Sequence, residues 1–251
     1  MELTFLGTGT STGNPQLLCT CQTCLSKDPR DIRLRTSVYI EDGDTSILID
    51  CGPDFRQQAL SAQIRQISAV FLTHEHYDHV GGMDDLRPFC TYQELPVYGF
   101  KRVLDKMKVI MPYSFSENPY PGVPLFRLAP VTMDPFYVHH LKIIPVEVMH
   151  YRLPVLGFRI GDLAYLTDFN FMEQAEIDKL YGLKVLVVDA LMPGKHISHN
   201  TLQQALDLIE TVKPEKAYLI HMSHRMGLYA DTNPALPDHV ELSYDGLKIE
   251  I

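Results

Sequence analysis

No apolar run in the 251-residue sequence comes near the ~18–20 residues that a membrane-spanning helix needs. Nor does it open with a charged-then-apolar leader. Glu2-Leu3-Thr4-Phe5-Leu6 is already strand-like, so no secretory signal and no membrane association are expected. Basic residues are in short supply. Lys and Arg number 22 against 31 Asp and Glu, for a net charge of −9 and a pI near 5.6. That balance argues against a protein that grips nucleic acid or an anionic membrane by charge. Phosphate esters stay open as substrates, because bound cations reverse the sign of a local site. Tryptophan is absent, with no consequence of its own, and repeats, low-complexity tracts and charge runs are absent too. Cysteine is sparse and odd in number: of five, three crowd into Cys19, Cys21 and Cys24. A disulfide framework would use more cysteines, spread along the chain. The crowding instead fits thiolates gathered on a metal in a reducing compartment, so a cytoplasmic location is expected.

Hydrophobic residues make up 45% and charged residues 21%, which excludes disordered and fibrous classes. Short apolar runs recur at Leu3–Leu6, Ser37–Ile40, Ser46–Ile49, Ala69–Leu72, Ala164–Leu166, Lys184–Val188 and Ala217–Ile220, and each reads as a strand. Glu41-Asp42-Gly43-Asp44 reads as a hairpin turn. Helical patterns cover Pro53 to Arg65, Phe171 to Leu180 and Thr201 to Val212, the last with Asn200 or Thr201 as its cap. Strands alternating with helices predict an α/β fold, sheet packed against helix, in one domain over residues 1–251. The stretch from Cys90 to Tyr137 differs. It holds Pro96, Pro112, Pro119, Pro121, Pro124, Pro130 and Pro135 with Tyr92, Tyr98, Tyr113 and Tyr120. It is expected as an insertion or long loop around 90–137 with one helix near Lys101 to Met107. Its role is either a lid or subunit contact or a proline-stiffened surface excursion.

The sharpest chemical motif is Thr73-His74-Glu75-His76-Tyr77-Asp78-His79-Val80-Gly81-Gly82, on the loop leaving the strand Ala69–Leu72. His74 and His76 alternate on extended backbone and can point to one side. Asp78 and His79 turn away after one more residue. This suits two adjacent cations, and imidazole with carboxylate suits zinc, manganese and iron alike. A polar loop holding these residues by chance is the bland alternative, and three His and one Asp in six positions make it a rare one. Gly81-Gly82 is expected to supply backbone freedom for a turn into the next helix.

His74-x-His76-x-Asp78-His79 resembles the H-x-H-x-D-H signature of the metallo-β-lactamase superfamily. The resemblance implies a four-layer αββα sandwich with a two-metal site along one edge. It also implies an isolated His, an Asp after a strand and a late His as further ligands. His150, Asp168 and His221 are the candidates, and each ends an apolar strand. The implied division gives His74, His76 and His150 to one metal and Asp78, His79 and His221 to the other. Asp168 bridges them, with a shared water ready for attack. Asp50 and Asp189 also end strands, and in this family such acids orient ligands from behind.

Cys19-x-Cys21-x-x-Cys24 lies in a polar loop, where its thiolates suit tetrahedral zinc. His224 is the best fourth ligand; a redox pair or chance is the alternative. Gly7-Thr8-Gly9-Thr10-Ser11 followed by CxCxxC, HxHxDH and His221-x-Ser223-His224 resembles the PhnP-type phosphodiesterase branch over nearly the whole chain. That branch implies a structural zinc on Cys19, Cys21, Cys24 and His224 beside two divalent active-site metals, zinc or manganese. It also implies a histidine that protonates the leaving alkoxide. His199 is the assigned donor and His196 the alternative; Asp78 counts as catalytic as well as a ligand. The namesake acts on a phosphoribosyl 1,2-cyclic phosphate, but the proline-rich middle and the surroundings of His199 depart from it.

The expected activity is hydrolysis of a small phosphodiester, cyclic ones included, by a metal-dependent hydrolase. The alternatives are a ribonuclease Z-like RNA 3′-processing nuclease, a thioester or lactone hydrolase of the same superfamily, and a metal-binding protein without catalysis. The expected partner is a small-molecule substrate rather than nucleic acid, and a homodimer is an open expectation.

Overall fold

The computed structural model describes every residue but 91, 92 and 119, so Tyr92 and Pro119 of the proline- and tyrosine-rich stretch lie outside the described residues. The strands follow in chain order as β1 Glu2–Gly7, β2 Ser37–Asp42, β3 Thr45–Ile49, β4 Ala69–Phe71, β5 Leu95–Gly99, β6 Phe126–Pro130 and β7 Phe136–Val138. After them come β8 Leu141–His150, β9 Leu153–Ile160, β10 Leu163–Leu166, β11 Val185–Asp189, β12 Lys216–Ile220, β13 Val240–Leu242 and β14 Lys248–Glu250. They form two seven-stranded sheets, ordered β14-β1-β2-β3-β4-β5-β6 and β13-β12-β11-β10-β9-β8-β7. All seven predicted strand runs are present.

Strand chemistry explains the pairing. Gly43, with φ +57°, opens the tight β2–β3 hairpin, in which Asp42 faces Thr45. The runs of β4, β10 and β11 are buried along their whole length, as strands covered on both faces must be. They sit in the parallel parts of the two sheets, β3 to β6 and β10 to β13.

Three apolar clusters make the four layers. Leu3, Phe5, Phe71, Phe158, Tyr165 and Tyr218 fill the space between the sheets. Helix α1 (Phe55–Ser61), the single turn α2 (Tyr77–Val80) and helix α3 (Lys101–Ile110) cover the outer face of the first sheet through Phe55, Val80, Leu104 and Met107. The short α4 (Gln174–Ile177) and the longer α5 (Leu202–Val212) cover the second through Ile177, Ala205, Ile209 and Val212. The αββα sandwich expected from the sequence is the observed fold. In α5 the spacing of those three buried residues is helical, and Thr201 with Gln204 forms a reciprocal capping box, worth ~1 kcal/mol. Among the described residues no helix is long and apolar enough to cross a membrane.

The proline- and tyrosine-rich stretch, expected as an insertion or long loop with one helix near Lys101 to Met107, contains that helix as α3 but also strands in place of continuous loop. It supplies β5, α3 and β6, extending the first sheet by two parallel strands. Pro96 sits near the start of β5 and Pro130 ends the edge strand β6, where a missing donor costs little. The helix at Pro53–Arg65 is shorter than its pattern, and that at Phe171–Leu180 shrinks to α4 and one tighter turn.

The inter-sheet layer should be the stability core. Phe158 is fully buried, with its ring 4.8 Å from that of Phe71. Phe158→Ala is expected to cost about 3–5 kcal/mol in denaturant unfolding, because little around it can collapse into the space.

Candidate functional site

Parallel strands deliver their carboxyl ends to one rim, and the chemistry gathers there. Asp50 follows β3, Thr73 and His74 follow β4, His150 ends β8, Asp168 follows β10, Asp189 ends β11 and His221 follows β12. Asp50, Asp168 and His221 share a left-handed backbone, with φ of 62°, 53° and 60°. Such a conformation costs a residue with a Cβ roughly 1–2 kcal/mol. It turns the chain out of the sheet one or two residues after the strand and aims the side chain across the rim. Two glycines bring the loops close. A Cβ on Gly52 would lie 2.0 Å from the Asp78 carbonyl oxygen, and one on Gly82 would lie 2.0 Å from that of Gly52. The Gly81-Gly82 pair therefore serves space: neither residue has a positive φ.

Two donor sets share one carboxylate. His74, His76 and Asp168 form the first; Asp78, His79, Asp168 and His221 form the second. Asp168 is 2% exposed. Its Oδ1 lies 3.3 Å from His79 Nε2 and 3.2 Å from His221 Nε2, and its Oδ2 lies 3.8 Å from His74 Nε2. Asp78 Oδ2 lies 3.2 Å from His79 Nε2 and 3.7 Å from His221 Nε2. His150 groups with Asp168 and His199. Its ring centroid stands 5.8 Å from that of His74 and 5.2 Å from that of His76. The seven residues singled out from the sequence thus stand together at one place.

Hydrogen bonds behind the rings set their tautomers. His150 Nδ1 faces the Ser198 carbonyl oxygen at 2.9 Å, which only accepts, so this nitrogen carries the proton and Nε2 keeps its lone pair. His79 Nδ1 donates to Asp50 Oδ2 at 2.6 Å. His74 Nδ1 meets Thr73 Oγ1 at 3.0 Å, and that hydroxyl donates to Asp50 at 2.9 Å, so the proton order runs from His74 through Thr73 to Asp50. Each relay leaves Nε2 turned inward. The buried His79 Nε2 and His221 Nε2 have no hydrogen-bond partner, an arrangement that is costly unless something else takes the lone pairs. Imidazole and carboxylate at these spacings fit divalent cations.

The local field favours positive charge. Burial opposes a charge on His79, but the Asp168, Asp78 and Asp50 carboxylates outweigh it and hold the imidazole well above its usual range. Burial would raise Asp168 and Asp78, yet the neighbouring His221 and His79 rings hold both below the usual carboxylate range. Burial, reinforced by His79, pushes His74 well below its usual range.

His199 stands beside this cluster, buried, with Nδ1 3.3 Å from Asp189 Oδ2 and 4.0 Å from Asp168 Oδ2. Burial works against its charge, but Asp189 outweighs burial and raises its basicity. Asp189 also accepts from the backbone N–H of Phe169 and of Asn200, which pins it in place. The exposed His196 meets Ser198 in its own loop, its ring 5.1 Å from that of His199. Of the two candidate donors, His199 is the one aimed at the centre. A cavity of about 470 Å3 opens in front, between His76, His150, Tyr151, Arg152, Leu153, Ile197 and Ser198.

A second cluster, with its own donor set, comes within three residues of His221 along the chain. Cys19, Cys21, Cys24 and His224 present their donor atoms within 4.8 Å of one another. His224 Nδ1 is 3.3 Å from Cys19 Sγ and 3.2 Å from Cys21 Sγ. His224 holds the Cys21 thiol down to about 6, whereas burial pushes Cys24 up to about 11. A soft donor set of this kind fits zinc.

Thr73 and Ser198, which orient His74 and His150, escaped the sequence. Thr73 had one local clue, a hydroxyl beside the first motif histidine. Ser198 acts through its carbonyl, which residue type does not encode.

Comparison with known proteins supports this geometry. A profile of the beta-lactamase superfamily domain matches residues 45–222. An octanoyltransferase of Porphyromonas gingivalis is 47% identical over 251 residues, covering 99% of this chain and 51% of its own. A ribonuclease Z of Crocosphaera subtropica is 28% identical over 176 residues, covering 68% of this chain and 51% of its own. The chain spans about half the length of these curated relatives. A diphosphatase from the PhnP family, solved by crystallography, superimposes with a TM-score of 0.93 at 36% identity, covering 99% of this chain and 96% of that one. The short form of human tRNase Z shares the fold, with a TM-score of 0.77 at 21% identity, covering 100% and 99%. With the HxHxDH residues, the strand-end His and Asp residues and the cysteine cluster all in place, the chain belongs to the metallo-β-lactamase superfamily, in its PhnP-like branch.

Proposed function

We propose that the chain hydrolyses a small phosphodiester at two divalent cations, zinc or manganese, and carries a structural zinc besides. The observation behind this reading is the shared position of Asp168, which belongs to both inward-facing donor sets with His199 alongside. His74, His76 and His150 would hold one cation, Asp78, His79 and His221 the other, and Asp168 would touch both. Bound there, the cations would supply Lewis acidity and a water acidified to near neutrality.

The protein's own residues do the rest. Asp50 and Thr73 fix His74 and His79 from behind, so that their lone pairs stay aimed during turnover. His199, its basicity raised by Asp189, gives its proton to the departing alkoxide. The cavity before His76 and His150 admits a small ester, with Tyr151, Arg152 and Ile197 to contact its non-reacting part. Cys19, Cys21, Cys24 and His224 hold the structural zinc. The substrate is a free small molecule rather than nucleic acid or membrane lipid, given the net charge of −9.

A diphosphate linkage is the second reading, because the relative at 36% identity is named a diphosphatase. The same residues would attack P–O–P as readily as P–O–C. The octanoyltransferase name belongs to a relative with about as much chain again outside the match. Here the buried His and Asp cluster argues for hydrolysis.

Metal analysis and turnover test the assignment together. With zinc or manganese, the wild type should hydrolyse bis(p-nitrophenyl) phosphate, and a panel of cyclic nucleotides and dinucleoside diphosphates should rank the two linkages. Full metal content with no turnover of any of them would end the reading. Asp168→Ala should lower active-site metal and abolish activity. Cys21→Ser should instead lose about one zinc and unfold at lower temperature, because zinc binding at such a site contributes to folding. His199→Ala should keep its metal and slow esters with alkoxide leaving groups by about 10²–10⁴-fold. It should barely affect p-nitrophenyl esters, whose leaving group needs no proton.

A further inference from the structure

Glu75 lies between the motif histidines His74 and His76, and its own side chain points elsewhere. Its Oε2 lies 2.6 Å from Nη1 of Arg102, in the first turn of α3. The Nη2 of the same guanidinium donates to the Pro154 carbonyl. The guanidinium carbon also stands 5.6 Å from the Phe100 ring centroid. Pro154 belongs to β9, where it pairs with Met149, and the next pair, His150 with Leu153, closes the hairpin. One planar group thus joins the loop carrying His74 and His76, from the first sheet, to the hairpin carrying His150, from the second.

Two further contacts join these pieces, both on the core side: the Phe71 ring packs on that of Phe158, and one backbone hydrogen bond crosses. The backbone bond from Leu156 N–H to the Thr73 carbonyl, at 3.0 Å, ties them behind the site. His76 is exposed, and its recorded hydrogen bond is to His74 Nε2 at 2.9 Å. A partly exposed ion pair contributes little to overall stability. Its worth here is geometric, because a rigid two-pronged donor fixes two acceptors relative to each other.

We propose that Arg102 is a positioning residue that sets the spacing between the His74/His76 pair and His150, and so controls one of the two active-site cations selectively. The proposal rests on the two-cation reading above. The second donor set, Asp78, His79 and His221, is held by Asp50 and by the strand ends, and Arg102 does not touch it.

The test is calorimetric titration of metal-stripped protein with zinc, and separately with manganese, for the wild type, Arg102→Ala, Arg102→Lys and Glu75→Gln. Arg87→Ala, which loses a remote surface pair with Asp84, is the control. Arg102→Ala should weaken one active-site cation by about 10–100-fold. The other cation, the cysteine-held zinc and the unfolding temperature of the stripped protein should stay as in the wild type and the control. Arg102→Lys should recover only part of the affinity, since one ammonium cannot serve both acceptors. Wild-type affinity at both cations in Arg102→Ala, or equal weakening at all three sites, would overturn the proposal. A wild type that binds a single active-site cation would overturn the two-cation reading, and the clamp with it. Should Arg102→Ala fail to fold, Glu75→Gln carries the same expectation in milder form, and unchanged affinity in that variant overturns the clamp.

Discussion

The cost of burying carboxylates together governs this molecule. Asp50, Asp78, Asp168 and Asp189 are all buried at one rim, Asp50 and Asp189 completely. Gathering anions away from water is expensive unless each finds a donor or a cation. Asp50 is met by Thr73 and His79, and Asp189 by two backbone N–H groups and His199. Asp168 and Asp78 face inward-turned imidazole nitrogens, and the balance there closes on a cation. The left-handed turns after the strands, the close approach at Gly52 and the relay through Thr73 all serve to hold that arrangement.

Much of this was legible in the sequence, for identifiable reasons. His74, His76, Asp78 and His79 are adjacent, so one loop carries their geometry. His150, Asp168 and His221 are far apart in sequence, but the superfamily resemblance asks for ligands at strand ends and each ends an apolar run; β10 and β12 run the same way, and so does β8 across the antiparallel β9, which brings the three ends to one rim. A cap on α5 at Asn200 or Thr201 was readable because capping is local; Thr201 is the one that caps, and its partner Gln204 was not foreseen. What escaped involves distance or backbone. Glu75 and Arg102 are 27 residues apart, and no local pattern links them. Ser198 works through a carbonyl that any residue would offer. Strands β5 and β6 were hidden because proline weakens a strand pattern whether it sits centrally or, as here, near a start or on an edge.

The cysteine cluster and the metal centre are physically continuous. His221 belongs to one and His224 to the other, with Met222 and Ser223 between them. Met222 exchanges backbone hydrogen bonds with the loop after β1: its N–H donates to the Thr8 carbonyl, and Thr10 N–H donates to its own carbonyl. That loop leads on to Cys19. A tether at the cysteines therefore restrains His221 through three residues of backbone, without any contact with substrate.

The parallel course of β3, β4 and β10 to β12 has one more outcome. Since Asp50, Asp168, Asp189 and His221 all leave their strands at the carboxyl tips, the amino-terminal tips of those strands form a far rim away from the cluster. The turns there pass through Gly43, Gly161 and Gly182, each with a positive φ and open space around it. Extra polypeptide, whether a tag or a whole appended module, finds room at that rim without approaching the ligands.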